Sequence, residues 1–134
     1  MDALERMRAA LRPDGFLLDI RPARARPSVE VQRAGATERL GQIDDSYRIS
    51  TLEIADAALH TLIGARRFGL EQEMTFDYIY HCDDVDAWLA FMAEHWNSAS
   101  VSDDVIARDR TALAEKEGEL RVVRAIHAAR YRRL

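Results

Sequence analysis

Between residues 71 and 96 the chain reads EQEMTFDYIYHCDDVDAWLAFMAEHW, and its hydrophobic period changes midway. Met74, Phe76, Tyr78 and Tyr80 alternate with Glu73, Thr75, Asp77 and His81. A period of two is what a strand with one buried face requires. From Val85 onward, Trp88, Leu89, Met92 and Trp96 recur every three or four residues, the period of an amphipathic helix. Asp83 or Asp84 supplies the cap, and the acids of the first turn favour the helix N-terminus. A strand that enters a helix with almost no loop supplies much of one core. This block carries no recognisable reactive group.

The 134 residues predict one domain over 1–134, able to bury a core without metal or disulfide. Apolar residues at 48% and charged residues at 31% place the chain among folded globular proteins rather than disordered ones. No apolar run approaches the ~20 residues that span a bilayer, which predicts no membrane association. The single cysteine, Cys82, excludes an internal disulfide and fits a reducing cytoplasm. It reads as a structural thiol. Met1 followed directly by a cap at Asp2 fits an independent gene product.

The net charge of −4 hides an asymmetry. Residues 71–104 hold nine acids and no Lys or Arg, whereas residues 121–134 hold five Arg and no acid. An Arg-rich tail could bind phosphate or nucleic acid, but the whole chain is acidic and the tail has only Tyr131 as a stacking aromatic. The tail is therefore expected to dock on the acidic segment, within the chain or across a dimer, and nucleic acid is not expected as a partner.

The other elements follow from period and punctuation. Residues 2–12 form a helix on Leu4, Met7 and Leu11, stopped by Pro13-Asp14-Gly15. The apolar run 16–20 predicts a strand covered on both faces. Residues 28–33 alternate and turn at Ala34-Gly35-Ala36 into a weaker strand, 38–44, interrupted by Gly41. Ser50 or Thr51 caps a helix over 50–65, with Leu52, Ala55, Leu59, Leu62 and Ile63 inward and Glu53, Asp56 and His60 outward. Helices at 84–97 and 102–117 complete the set. Residues 120–134 alternate as a strand, although Arg and Ala also favour helix. The fold class is α+β: a mixed, mostly antiparallel sheet of four to five strands covered by helices.

Residues 9–20, AALRPDGFLLDI, resemble the helix, "L-(R/K)-P-G-G" turn and strand of class I S-adenosylmethionine-dependent methyltransferases, with Asp14 where that family has glycine. Residues 54–76 are similar to the family's later helix and strand, and DDVDAWLAF at 83–91 resembles the acidic helix start that follows. The resemblance implies the C-terminal half of that fold, with the 120–134 strand beside the 71–81 strand. It also implies a missing cofactor loop. In that family the cofactor lies on a glycine-rich turn at a helix N-terminus. Here the glycines stand at 15, 35, 41, 64, 69 and 118, with no two close enough to form one. No cofactor is expected. The hairpin over 28–44 is an additional piece.

Chemistry candidates are few. Tyr78, Tyr80, Trp88 and Met92 would line a ligand pocket if helices arch over the sheet, and would otherwise be core. Asp44, Asp45, Tyr47 and Arg48 form a polar loop at a strand end, a common place for function and equally an ordinary turn. His81-Cys82-Asp83-Asp84 has metal-ligand residue types, but their adjacency matches no zinc spacing. The expectation is a non-catalytic methyltransferase-like domain that binds or self-associates, homodimerisation being the simplest cover for an exposed sheet edge. The alternatives are an enzyme or small-ligand binder, and one half of a split methyltransferase with a partner chain.

Overall fold

The computed structural model describes residues 3–115 and 117–134, so the expected cap Asp2 lies outside them. In chain order the elements are α1 (Ala3–Ala10), β1 (Phe16–Pro22), β2 (Ser28–Arg33), β3 (Ala36–Gln42), α2 (Ile49–Gly64), β4 (Phe68–Cys82), α3 (Val85–His95), α4 (Asp103–Glu115) and β5 (Glu119–Arg133). The α+β class is as expected, and the sheet is antiparallel throughout. Residues 120–134, open to either reading, are strand. No helix among the described residues is long and apolar enough to cross a membrane.

β5 is the strand on which the others assemble. Its C-terminal half pairs with β1, Leu18 opposite Arg130 and Ile20 opposite Ala128. Its N-terminal half pairs with β2, Val29 opposite Val122 and Val31 opposite Leu120. β2 continues into β3 through a tight hairpin whose Gly35 has φ 77°, a conformation that costs glycine nothing. β4 also pairs with β5.

Local chemistry explains the element ends. Asp14 adopts φ 61° in the turn after α1, a left-handed conformation that Asp tolerates and glycine favours. Asp84 caps α3, its carboxylate accepting from the Ala87 N–H at 2.7 Å, and the Ser102 hydroxyl accepts from Val105 N–H at 3.4 Å at the start of α4. The expected cap at Ser50 or Thr51 is corrected. A 3-10 turn over Ser46–Arg48 runs directly into α2, which puts Arg48 at the cap position and both hydroxyl residues inside the first turn. At its other end α2 closes with Arg66 at φ 54°, Arg67 N–H donating to Leu62 and Arg66 N–H to Ile63. That is the paired bonding of a Schellman motif.

The chain divides into two compact units interleaved in sequence. The first takes the residues up to Ala23, Arg48–Phe76 and Ile126–Leu134. Its core is Leu59, Leu62, Phe68, Ala129 and Tyr131, bordered by Leu4, Leu11, Leu17 and Ile63. The second takes Arg24–Tyr47 and Asp77–Ala125. Its larger core joins Val29, Val31, Leu40, Ile43, Val85, Trp88, Met92, Val105, Leu120 and Val122. Gly41, expected to weaken β3, is where α4 approaches most closely, since a Cβ there would collide with the Val105 methyls.

Two face assignments are corrected. β1 is covered on one face only: Leu17 reaches the core, while Phe16, Leu18 and Ile20 remain exposed. Met74, Phe76 and Tyr78, placed on a buried strand face by their alternation, are exposed too. The alternation is real, but α1 and α2 contribute core residues only to the Leu17 face of the first unit.

Candidate functional site

The four pocket candidates separate by depth within the second unit. Trp88 is 0% exposed and Met92 is buried, both on the α3 face that packs into the core. Neither borders the surface hollow beside Tyr78 and Tyr80. Tyr78 and Tyr80 instead border a shallow surface hollow with His81, Cys82, Asp83, Ala87 and Phe91. Tyr80 anchors an aromatic cluster there, its ring 4.6 Å from Tyr78, 5.3 Å from Phe91 and 5.1 Å from Trp96. Such spacings are those of edge-to-face packing.

The polar loop is structural in its contacts. Asp44 bridges to Ser100, backbone to backbone, and its carboxylate accepts from the Ser46 hydroxyl at 2.6 Å and the Ser46 N–H at 3.0 Å. Those bonds hold its carboxyl below the usual range. Asp45 lies 3.5 Å from the guanidinium of Arg124, which is itself buried and stacked 3.9 Å from the Trp96 ring. This cation–π contact explains a buried arginine on β5. Tyr47 is exposed, and Arg48 opens α2 in the first unit.

His81 Nδ1 lies 2.6 Å from Glu119, and burial, with Asp83 and Asp84 adding, pushes the Cys82 thiol up. A raised thiol has less of the reactive thiolate. Among the described residues no group of three or more His, Cys, Asp or Glu is placed to hold a metal ion.

The arginine tail distributes itself more widely than the charge pattern suggests. Arg130 and Arg132 both pair with Glu71, as expected of an acid in the 71–104 segment. Arg121 goes to Glu30 at 3.2 Å, Arg124 to Asp45, and Arg133 to the Leu11 carbonyl. Asp56, expected on the solvent side of α2, turns inward to Arg21 at 2.5 Å, because Arg21 on β1 also reaches the Leu52 carbonyl of that helix.

Two features escaped the sequence reading. The first is a set of exposed apolar side chains on β1 and β4 of the first unit. Phe16, Leu18 and Ile20 are 53%, 57% and 63% exposed, and Leu70, Met74 and Phe76 are 46%, 54% and 39% exposed. Leu18, Ile20, Met74 and Ala128 border one shallow concavity together with Arg130, which stands opposite Leu18 on β5 as Arg132 stands opposite Phe16. The second is Asp109 on α4, 0% exposed with neither carboxylate oxygen hydrogen-bonded. Burial pushes its carboxyl up to about 6, against the opposing pull of Arg108. Its spacing from Val105 and Ala112, four and three residues, puts it on the buried stripe of that helix. Compared with family models, curated proteins and solved structures, the chain matches none.

Proposed function

We propose that this protein is a non-catalytic, methyltransferase-like domain that acts by association, using the open sheet face of its first unit. That face carries the reading: Phe16, Leu18 and Ile20 on β1 and Met74 and Phe76 on β4, two strands that both pair with β5, stay in water. Exposed apolar side chains that cluster on one part of a surface often mark an interaction site. The methyltransferase-like part rests on the resemblance of residues 9–20, 54–76 and 83–91. It is supported by the placing of β4 beside β5, the neighbour relation that the resemblance implies. Asp14 adds to it, because the position where the family has glycine adopts a left-handed conformation.

The non-catalytic part rests on where polar groups lie. A class I cofactor site needs backbone N–H groups converging at a glycine-rich turn. Three of the chain's six glycines instead serve a hairpin at Gly35, a helix approach at Gly41 and a strand approach at Gly118. A cytoplasmic location fits the single cysteine. Calorimetric titration of the purified protein with S-adenosylmethionine tests this reading. No heat of binding is expected, and a micromolar dissociation constant would overturn it.

A further inference from the structure

We infer that the hollow bordered by Tyr78, Tyr80, Phe91 and Asp83 binds a small organic cation that carries a quaternary or methylated ammonium group. The site lies wholly in the second unit and goes beyond the association reading, which concerns the first.

Three observations lead to a cation of this kind. The first is the aromatic lining. Tyr78, Tyr80 and Phe91 border a hollow of about 400 Å³, within the ~300–1,000 Å³ range of small-molecule sites. Their ring planes are inclined by 66° between Tyr78 and Tyr80 and by 48° between Tyr80 and Phe91, so they meet at angles rather than as one flat stack. The face of such a ring attracts a cation through its quadrupole. The same cluster already holds one cation: the Arg124 guanidinium lies over Trp96, whose ring packs on Tyr80 and Phe91.

The second is charge. Asp83 borders the hollow, and among the described residues no Lys or Arg does. His81, also on the lining, is matched by Glu119 at 2.6 Å. Arg110 is engaged by Asp86 at 2.8 Å and Arg124 by Asp45 at 3.5 Å, so neither is left to offset Asp83. The partial positive charge at the start of α3 is met by the Asp84 carboxylate, which accepts from Ala87 N–H. The field at the hollow registers on Cys82, whose thiol is pushed up by burial and then by Asp83 and Asp84.

The third is the balance of acceptors and apolar surface. A primary ammonium or a guanidinium brings several N–H donors, each of which needs an acceptor once desolvated. The lining offers rings, the aliphatic Ile79 and Ala87, and a single carboxylate. A methylated ammonium suits that set: its methyls rest on ring faces and its charge asks only for a nearby anion.

NMR titration of the full chain with choline tests the inference, with 3,3-dimethylbutan-1-ol as its neutral isostere. Choline is expected to shift the Tyr78, Tyr80 and Phe91 ring resonances saturably, and the isostere to bind at least about fivefold more weakly. Tyr78→Leu and Asp83→Asn, both at exposed positions, should each weaken choline by about threefold or more with circular dichroism unchanged. Tyr47→Leu, at an equally exposed tyrosine of the second unit, should leave binding unchanged. A peptide carrying trimethyllysine is expected to bind no tighter than choline. No saturable shift up to tens of millimolar choline overturns the inference. So does equal binding of choline and its isostere, or binding that survives both Tyr78→Leu and Asp83→Asn. A trimethyllysine peptide bound at least tenfold tighter than choline overturns the small-molecule occupant and assigns the hollow to a modified side chain.

Discussion

Asp109 makes the stability of this protein depend on pH in an unusual direction. The side chain is fully buried on α4, its oxygens have no hydrogen-bond partner, and its carboxyl is raised from 3.8 to about 6. An acid whose folded pKa is raised binds its proton more tightly in the folded state. Its contribution is therefore fully present below about 4 and is lost as pH rises through 6. Moving the carboxyl from 3.8 to about 6, at about 1.4 kcal/mol per pH unit, amounts to roughly 3 kcal/mol. Other carboxyls act oppositely: Asp44, Glu71 and Asp86 are held low by hydrogen bonds from Ser46, Arg132 and Arg110. Their contributions are lost as pH falls, so the total profile mixes both signs. The difference between wild type and Asp109→Asn isolates the one group, since the amide does not titrate. Urea denaturation of both proteins at half-unit steps from pH 4 to 7.5 provides the measurement. The variant should gain on wild type by about 2–3 kcal/mol between pH 4 and 7, with most of the change between 4 and 6. A difference independent of pH would refute the reasoning and mean that Asp109 is solvated or paired in solution.

Three further outcomes follow from packing and backbone geometry. Gly41→Ala should cost about 1–3 kcal/mol in chemical denaturation, because its methyl meets Val105 on α4; an unchanged midpoint would mean that α4 yields freely. Asp14→Gly should raise stability by about 0.5–1 kcal/mol, relieving a left-handed φ of 61°, and a loss would show that the Asp side chain itself holds the turn. Trp88→Ala should cost ~3–5 kcal/mol, while His81→Ala, exposed and paired with the exposed Glu119, should stay within ~0.5 kcal/mol. Comparable losses would contradict the depth assigned to the two residues.

Element type was legible in the sequence where period and punctuation agreed. The change of period at residue 83, the cap at Asp84 and the turn at Gly35 are local signals, and each local choice is made by the residues that show it. What covers a face is not local. Alternation through Met74, Phe76 and Tyr78 reports that the two sides of β4 differ, without reporting whether anything packs on the apolar one. The run Phe16–Ile20 misled for the same reason: nearly continuous apolar residues allow two covered faces, but of its apolar side chains it is Leu17 that packs on the core while Phe16, Leu18 and Ile20 stay exposed. Asp109 was readable in principle. Four residues after Val105 and three before Ala112, it interrupts the stripe that packs α4 on the core, and such an interruption marks a buried polar group. The destinations of Arg121 and Arg124 depended on β2 and on the Asp45 loop, both remote in sequence, so charge runs alone pointed to the 71–104 segment, where Glu71 takes Arg130 and Arg132.

Oxidation of Met74 tests the central claim most directly. Met74 lies on the open face at 54% exposure and Met7 lies on α1 at 49%, so as isolated chains both should react with dilute peroxide at similar rates. If the face is an association surface, Met74 oxidation should slow severalfold as protein concentration rises, while Met7 oxidation stays constant. Equal and concentration-independent rates at the two methionines would contradict the account.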